Sequence, residues 1–569
     1  MAPIRVAMLS AECEPWAKTG GLADVVDALA RALGRRSDDI DGQVDVFLPR
    51  YRNVPEPETV RRVTTIRVPD PRAPSGATDV TVVDVQADGY RLRLVDHPAA
   101  FDREGFYGDA AGDYADNAWR FGLFCRAALE ALRADGSPVD VLHLHDWHTG
   151  PAAIWRDERY ADDPVLGGAA LLMTLHNLAY HGWTPRERLG QLGLRPGDGI
   201  VQADGTGIDL LRVGIERSEL VNTVSPGFAR EALTPEFGMG LDGTLGAMGD
   251  RFFGILNGLD TAVWDPATDV DLAAPYSRAD RRGKAGCRAD LLERIGFDPH
   301  DAGPVFGLVG RLDPQKGFDL VLEAAPAMLA RGDRIVVQGS GHASLADPFR
   351  ALAAANPAHV AFIERFDREM ARRIYAGADC FVMPSRFEPC GQGQMIALRY
   401  GTPPIVHRTG GLADTVIDEV SRPGAGTGFV FDAATSDGLL AACASAASLR
   451  ARRGSGWEGL LDRGMAVDFD WTTGSAPRYV EAYRRAMGLR LARARRRGES
   501  RAPAEQDPAA KLDARRAPPG RPAQSRARRS ATSVASIRSR CGECAPSAMV
   551  RMRSAPRRAT NAGIAASGR

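Results

Sequence analysis

The chain has 569 residues, of which 44% are hydrophobic and 25% are charged. This length exceeds one ordinary hydrophobic core, so we expect at least two domains in a globular protein. An integral membrane protein is excluded, because no apolar run reaches the ~18–20 residues that cross a bilayer.

The formal net charge of zero hides an uneven distribution of charge. Residues 491–569 contain 19 Lys and Arg against 5 Asp and Glu, a net +14, so the remainder is net −14. The basic segment is poor in large apolar residues, which predicts a disordered tail over 490–569. It lacks aromatic interleaving and any nucleic-acid fold motif, so no specific nucleic acid is expected as a partner. Its Cys541 and Cys544 have no second Cys/His pair nearby, and we expect no metal there.

The first residues and the cysteines predict a cytoplasmic protein. The N-terminal segment has one Arg and leads directly into a strand pattern, unlike a signal peptide. The eight cysteines are scattered, and several, such as Cys125, Cys380 and Cys443, lie in apolar segments. That pattern is typical of reduced proteins.

Residues 1–262 alternate strand and helix patterns. A strand at 4–9 leads through Gly20-Gly21 into a helix at 22–33. Further strands are predicted at 44–48, 80–85, 90–95, 139–145, 170–175, 220–224 and 252–256, with helices between them, for instance at 116–133 and 226–233. This alternation predicts a doubly wound α/β domain.

A second α/β series is predicted over 263–473, after a hinge rich in Asp and Pro at 257–271. Its predicted elements are a strand at 305–309, a helix at 317–329, a strand at 334–338, a helix at 367–375, a strand at 378–383 and a short strand at 404–406. A last helix follows at 474–487, within a segment 474–489 that precedes the tail.

One phrase occurs in both series. Residues 18–26 read KTGGLADVV and residues 408–416 read RTGGLADTV, about 390 positions apart. Each copy would present a Gly-rich loop at a helix N-terminus, a common site for a phosphate or a sugar hydroxyl. The alternative is a coincidence between two ordinary βα turns.

Polar residues follow the predicted strands at the edge where open α/β sheets bind ligands. The candidates are Lys18, Asp24, Asp146, His176, Asn177, Arg311, Lys316 and Glu388. Cations and helix N-termini suit a diphosphate leaving group, whose charge grows as its bond breaks. No Walker motif and no G-x-G-x-x-G follows the first strand, so a sugar donor fits better than ATP hydrolysis or hydride transfer. Singly, each candidate has a structural alternative; Asp146, for example, could cap the next helix.

Taken in order, the motifs resemble those of the bacterial glycogen synthase and plant starch synthase family. The motifs are KTGGLADV, HDWH, TLHNLAYHG, NTVSP, EFGMGLDG, GILNGLD, GRLDPQKG, PSRFEPCG and RTGGLADTV, and the match covers about residues 3–487. The resemblance implies two Rossmann-like doubly wound domains facing a cleft, the GT-B type. It also implies transfer of glucose from ADP-glucose to the non-reducing end of an α-1,4-glucan (glycogen), with retention and without a metal or other cofactor. In this family the last helix crosses back onto the first domain.

The resemblance also implies roles for individual residues. Lys18 would contact the donor phosphate and glucose, while Arg311 and Lys316 would bind the departing diphosphate. Glu388 would hold the donor sugar and support an oxocarbenium-like transition state. His176 would lie near the anomeric centre, and Asp146 near the glucose or acceptor. The remaining substrate-binding positions would be Gly20, Gly21, Asp24, Asn177, Gly391, Thr409, Gly410 and Gly411.

The chain departs from the family pattern at a few positions. These are Gly310 for Ser, Cys287-Arg288 for Asn-Lys, His181 for Gln and Gln392 for Leu. None removes a charged group central to the implied mechanism. Three alternatives stay open: a related transferase that uses UDP-glucose, a non-catalytic glucan-binding protein, and a pyridoxal-phosphate phosphorylase.

The lysine content generates a prediction about two candidate cations. The chain has 72 Lys and Arg, and its only lysines are Lys18, Lys284, Lys316 and Lys511. Lys is a compact point charge, whereas Arg is a wide planar fork. We expect Lys18→Arg and Lys316→Arg each to lose roughly 100-fold in glucosyl transfer, because a ~1 Å misplacement can cost that much. Steady-state kinetics, with circular dichroism to check folding, would test this; near-normal activity would mean that the Lys is a generic cation.

Overall fold

The computed structural model describes residues 2–193, 205–452 and 454–496. From residue 497 onward, the predicted disordered tail and its two cysteines lie outside the described residues. The described chain forms two lobes, each built on a mainly parallel sheet.

The strands of the first lobe run through residues 6–254. They are β1 (Val6–Leu9), β2 (Val44–Pro49), β3 (Val60–Pro69), β4 (Ala77–Gln86), β5 (Tyr90–Asp96), β6 (Gly108–Asp109), β7 (Gly112–Asp113), β8 (Val141–His145), β9 (Ala170–Leu175), β10 (Trp183–Pro185), β11 (Gly207–Asp209), β12 (Leu220–Thr223) and β13 (Phe252–Gly254). Within the described ranges the main sheet has the order β13-β12-β9-β8-β1-β2-β5-β4-β3. Its strands pair in parallel except at one edge, where β4 pairs antiparallel with both β3 and β5.

The second lobe contains a fully parallel sheet. Its strands are β14 (Val305–Val309), β15 (Arg334–Gln338), β16 (Val360–Ile363), β17 (Cys380–Met383), β18 (Pro404–His407) and β19 (Phe429–Phe431). Their order is β16-β15-β14-β17-β18-β19 among the described residues. The strands are short and largely buried, as expected for a parallel sheet covered by helices.

Helices connect the strands. They are α1 (Gly21–Gly34), α2 (Pro98–Phe101), α3 (Asn117–Asp135), α4 (Gly150–Glu158), α5 (Leu210–Arg217), α6 (Pro226–Glu231), α7 (Asp242–Met248), α8 (Arg282–Arg294), α9 (Phe318–Arg331), α10 (Ala343–Ala355), α11 (Arg368–Gly377), α12 (Gly393–Arg399), α13 (Gly410–Thr415), α14 (Ser436–Ala451), α15 (Ser455–Met465) and α16 (Ala476–Arg496). No helix in the described ranges is long and apolar enough to cross a membrane.

The chain crosses between the lobes twice, and the two crossings lie side by side. The amide N of Leu259 donates to the carbonyl of Phe469 at 2.7 Å, and Leu259 pairs with Asp470 in a short parallel bridge. A Cβ on Gly258 would lie 2.7 Å from the ring of Trp471, so this crossing accommodates only glycine without a shift. The paired segments form the covalent connection between the two lobes.

The last helix packs against the first lobe. α16 contacts β8, β9 and α1. Tyr479 and Tyr483 are fully buried, and the hydroxyl of Tyr483 lies 3.0 Å from Nδ1 of His143. His143 is also bonded to Thr174 at 2.7 Å, and burial lowers the pKa of its ring to about 3. The helix is therefore fixed to the strands by a buried network of neutral hydrogen-bonding groups.

This helix continues to Arg496, past its expected end at residue 487 and past the expected segment that ends at residue 489. The reason is that its last turns still contact the first lobe. The guanidinium of Arg490 is buried and donates to the carbonyl of Gly167 at 2.6 Å, and Arg493 pairs with Glu219 at 3.4 Å.

Two truncations of the chain test whether the contacts of the last helical turns stabilise the protein. We expect a chain ending at residue 496 to unfold at the same urea concentration as the full chain. A chain ending at residue 488 should lose about 1–3 kcal/mol, because the buried carbonyl of Gly167 loses its donor. Urea unfolding followed by circular dichroism would measure this. Equal midpoints for the two truncated chains would show that the last turns contribute nothing.

Candidate active site

The topology of the two sheets brings four loops, two from each sheet, to equivalent positions. In the first sheet the strand order reverses direction at β1, which lies between β2 and β8; in the second it reverses at β14, between β15 and β17. Ligands of open α/β sheets bind at such switch points, beyond the carboxyl ends of the strands. Lys18 follows β1, Asp146 follows β8, Arg311 follows β14 and Glu388 follows β17. The predicted site residues therefore lie at the two switch points.

In the first lobe, a buried carboxylate organises the loop after β1. Glu12 accepts hydrogen bonds from the amide N of Thr19 at 2.6 Å, the Thr19 hydroxyl at 2.5 Å and the amide N of Gly20 at 3.1 Å. The hydroxyl of Tyr107 donates to the same carboxylate at 2.6 Å. A Cβ on Gly20 or Gly21 would meet no atom within 4 Å, so open space adjoins this loop. There is room for a ligand against its backbone.

Lys18 lies at the edge of that space. Its Nζ is 2.6 Å from Asp24 Oδ1 and 3.3 Å from Glu14 Oε2, and its side chain is 43% exposed. Two carboxylates thus orient the ammonium without burying it. A cation in this state can exchange one of these partners for a phosphate oxygen.

At the ends of β8 and β9, Asp146 and His176 are joined. Asp146 has a left-handed backbone (φ 56°), a costly conformation for a residue other than glycine. Its Oδ1 accepts from the amide N of His176 at 2.7 Å, and burial raises the pKa of the Asp146 carboxyl to about 7. His176 Nε2 lies 3.0 Å from His145 Nδ1, and burial lowers the pKa of His176 to about 3, so its ring is neutral. Beside them, Asn177 accepts from the amide N of Ala179 and shapes the turn.

In the second lobe, Arg311 lines an open cavity of about 350 Å³ with Asp313, Ser340, Gly341 and His342. The guanidinium is exposed and has no salt-bridge partner among the residues that the structure describes. It pairs with neither Asp313 nor Asp367, whose carboxylates cap the segments that follow them. Arg311 is therefore available to an anionic ligand.

Lys316 and Glu388 form a short ion pair across the loops after β14 and β17. Lys316 Nζ lies 2.5 Å from Glu388 Oε2, and the hydroxyl of Ser385 donates to the same oxygen at 3.1 Å. Glu388 is 6% exposed. Its other oxygen, Oε1, accepts no hydrogen bond within the described part of the chain and can receive one from a ligand hydroxyl.

The glycines near Glu388 are required by close backbone packing. Gly391 has φ 73°, and a Cβ there would lie 2.5 Å from Gln394 Oε1. A Cβ on Gly410 would lie 2.1 Å from the carbonyl O of Glu388, and one on Gly411 would lie 2.2 Å from that of Cys390. The amide N of Gly410 is moreover bonded to Glu231, at 2.7 Å. In this conformation that amide is not free to bind the sugar donor. The amide of Gly20 is likewise bonded, to Glu12, but open space adjoins its backbone.

The predicted site residues thus form one group in each lobe. No hydrogen bond or ion pair within the described residues joins Lys18, Asp146 or His176 directly to Arg311, Lys316 or Glu388. The lobes instead meet through α6 and the loops around Glu388 and Thr409. The two groups belong to opposite lobes.

Several residues of the site were not identified from the sequence. Glu12, His145, Glu231 and Ser385, which contact predicted site residues, were all missed. His145 directly precedes Asp146 in the phrase HLHDWH, and Ser385 and Glu12 bind residues only three to eight positions away. Glu231 instead acts through partners about 180 positions away.

Two departures from the family pattern have structural explanations. Arg288 pairs with Asp379 at 3.3 Å and donates to the carbonyls of Asp301 and Gly303, so it anchors the loop before β14. His181 pairs with Asp209 at 2.6 Å, and that hydrogen bond raises the pKa of its ring. Neither residue is bonded to a predicted catalytic residue.

Comparisons with known proteins agree with this geometry. The family model for the starch synthase catalytic domain matches residues 5–247, and that for glycosyl transferases group 1 matches residues 296–453. Glycogen synthase of Syntrophotalea carbinolica is 40% identical over 494 residues, covering 85% of this chain and 99% of that protein. Glycogen synthase of Anaeromyxobacter dehalogenans is 40% identical over 498 residues, with 84% and 99% covered.

A solved structure extends the comparison to the fold. The catalytic domain of starch synthase IV from Arabidopsis thaliana, bound to ADP and acarbose, is 33% identical with a TM-score of 0.76. The alignment covers 86% of this chain and 100% of that domain. The fold and site thus define a two-lobed glycosyltransferase of the GT-B type, which confirms the predicted fold class. The chain belongs to the glycogen synthase and starch synthase family, as its motifs indicated.

The raised pKa of Asp146 predicts a pH-dependent stability. An Asp ordinarily titrates near ~3.9, so between about pH 4 and pH 7 the folded state retains a proton that the unfolded state has released. The free energy of unfolding therefore falls as pH rises through that window. Asp146→Asn cannot titrate, so this loss should disappear. Between pH 4.5 and pH 7.5, the free energy of unfolding of the variant should therefore rise by about 1–3 kcal/mol relative to that of the wild type.

Urea unfolding at several pH values would measure the difference. Asp38→Asn, at an exposed position, is the matched control and should follow the wild type. Parallel curves for wild type and Asp146→Asn would show that Asp146 is already ionised in the folded protein at low pH.

Proposed function

We propose that this chain transfers glucose from ADP-glucose to the non-reducing end of an α-1,4-glucan, with retention of configuration. The family membership makes it a glycosyltransferase; the donor, the acceptor and the residue roles are the proposal. ADP, bound by the related starch synthase IV domain, is what remains when glucose leaves ADP-glucose. The six described cysteines are buried free thiols, which supports a cytoplasmic location for the reaction.

The observation that carries the proposal is the ion pair between Lys316 and Glu388. A buried carboxylate lies 2.5 Å from an ammonium, which supports a site that uses one charge of each sign. Negative charge develops on the departing diphosphate, where Lys316 and the unpaired Arg311 would stabilise it. Positive charge develops on the sugar ring, where Glu388 would stabilise it. Such pre-arranged charges are usually the largest contribution to catalysis.

Residues of the first lobe complete the proposed site. Lys18, beside the open loop at Gly20 and Gly21, would contact the donor phosphate and glucose. His176 is neutral and would act as a hydrogen-bonding group near the anomeric carbon, oriented by His145. Asp146 would accept hydrogen bonds from hydroxyls of the glucose or the acceptor. No step of this scheme uses a metal ion.

Phe366 offers a further contact for the donor. Its side chain is 84% exposed, shortly after β16, which neighbours the β15 strand that leads to the Arg311 cavity. An exposed aromatic ring after the strand next to β15 suits stacking of a nucleotide base. We therefore include it in the proposed donor site.

Donor turnover tests the proposal directly. The purified protein should incorporate glucose from ADP-glucose into glycogen much faster than from UDP-glucose. Faster transfer from UDP-glucose would show that UDP-glucose, and not ADP-glucose, is the donor. Binding of glycogen without transfer from either donor would favour a non-catalytic glucan-binding protein instead.

Replacement of the buried carboxylate tests its role. We expect Glu388→Gln to fold normally but to lose at least ~100-fold in kcat, since charge stabilisation in a closed site is worth about 3–4 kcal/mol. Glu293→Gln, an exposed position on α8, is the control and should match the wild type. A raised KM with unchanged kcat would mean that Glu388 only binds the sugar.

A further inference from the structure

The second TGG loop is bonded to the opposite lobe. Glu231, the last residue of α6, accepts hydrogen bonds through Oε1 from the amide N of Gly410 at 2.7 Å and from the Thr409 hydroxyl at 3.0 Å. In return, Asp414 of α13 accepts from the amide N of Gly227 at 2.5 Å. Each of the two short helices thus supplies a carboxylate that accepts hydrogen bonds from the opposite lobe.

The same segment of the first lobe contacts the loop that carries Glu388 on both sides of that residue. The hydroxyl of Ser225 donates to the carbonyl of Pro389 at 2.6 Å. The ring of Phe387 packs edge-on against Phe228, with centroids 5.1 Å apart, and stacks on Phe237 at 5.8 Å. The opposite lobe therefore determines where this loop lies.

The Gly410-Gly411 backbone links Glu231 to Glu388. The amide N of Gly411 donates to the carbonyl of Glu388 at 3.1 Å. A Cβ at Gly410 would lie only 2.1 Å from that carbonyl, so the two backbones are in direct contact. A shift of Gly410 must therefore shift the backbone of Glu388.

The first copy of the repeated phrase is supported differently. There a carboxylate also binds the Thr hydroxyl and the first glycine amide, but it belongs to Glu12 of the same lobe. The shape of that loop is independent of how the lobes are arranged. The shape of the second loop depends on the lobes being together, because its carboxylate is supplied by α6.

We propose that Glu231 is a positioning residue that couples lobe closure to the placement of Glu388. With the lobes together, Glu231 fixes Thr409 and Gly410, and these fix the backbone of Glu388 beside Lys316. This inference rests on the proposed function, in which Glu388 acts on the donor sugar. The carboxylate is then in place only when the cleft is closed, which limits attack on the donor by water.

The test is a comparison of Glu231 variants with and without Glu388. We expect Glu231→Ala to lose roughly 10–100-fold in kcat, since a ~1 Å misplacement can cost on the order of 100-fold. Glu231→Gln retains a carbonyl acceptor and should recover most of this loss. Glu236→Ala, at an exposed position further along the same segment, is the control and should match the wild type.

The second arm repeats Glu231→Ala in the Glu388→Gln background. If Glu231 acts through Glu388, the further loss there should be under about threefold, because the group it positions is already absent. An equal loss in both backgrounds would overturn the inference, as would a Glu231→Ala variant as active as Glu236→Ala. Urea unfolding of each variant distinguishes a loss of activity caused by unfolding from one caused by misplacement of Glu388.

The wild type separates the two proposals. If it transfers glucose from ADP-glucose while the Glu231 variants behave like the control, only the role of Glu231 fails. If the wild type transfers glucose from neither nucleotide sugar, the proposed function fails, and this inference fails with it.

Discussion

The proposed site depends on holding the carboxylate of Glu388 in a position that is almost closed to water. Removing a charge from water is costly, and a partner must supply most of the compensation. Lys316 does so at 2.5 Å, and Ser385 adds a hydrogen bond. Because Lys316 follows β14 and Glu388 follows β17, the pair joins the two loops that flank the switch point of the second sheet. A substrate that separates the pair would encounter both charges already in place.

The repeated TGGLAD phrase shows how one local structure can serve two purposes. In both copies a glutamate binds the threonine hydroxyl and the first glycine amide. Glu12 makes the first loop a rigid part of its own lobe, with open space for a ligand. Glu231 makes the second loop a contact between lobes, packed against the backbone of Glu388. Identical sequences therefore differ in role because their partners differ.

Buried histidines connect the last helix to the first-lobe site. Tyr483 contacts His143, whose ring lies 4.2 Å from that of His145, and His145 in turn contacts His176. Burial lowers the pKa of every ring in this row, so no charge repulsion opposes their close approach. The position of His176 thus depends on a helix that begins some three hundred residues later. This explains why α16 must return across the hinge to the first sheet.

Much of the fold was predictable, because buried parallel strands are continuous apolar runs bounded by glycine and polar residues. The strands at 170–175, 305–309 and 334–338 were predicted with the bounds that the structure gives. β3, β16 and β19 were missed. β3 is an exposed edge strand without a continuous apolar run, and the other two are too short for a periodic signal. The end of α16 was also placed too early, because arginines such as Arg490 resemble a solvated tail until their buried partners are known.

The sequence by itself determined which chemical groups stand at the strand ends, and its motifs determined the family. Six candidate residues lie after the ends of strands, as the sequence predicted: Lys18, Asp146, His176, Arg311, Lys316 and Glu388. Only the tertiary structure decided their partners: that Lys316 binds Glu388, that Arg311 is unpaired within the described chain, and that Glu231 crosses to Gly410. The physical reason is that backbone conformation and side-chain pairing depend on residues at different separations along the chain. Backbone conformation follows from neighbouring residues, whereas hydrogen bonds and ion pairs act over a few ångströms in space between residues that can be hundreds of positions apart.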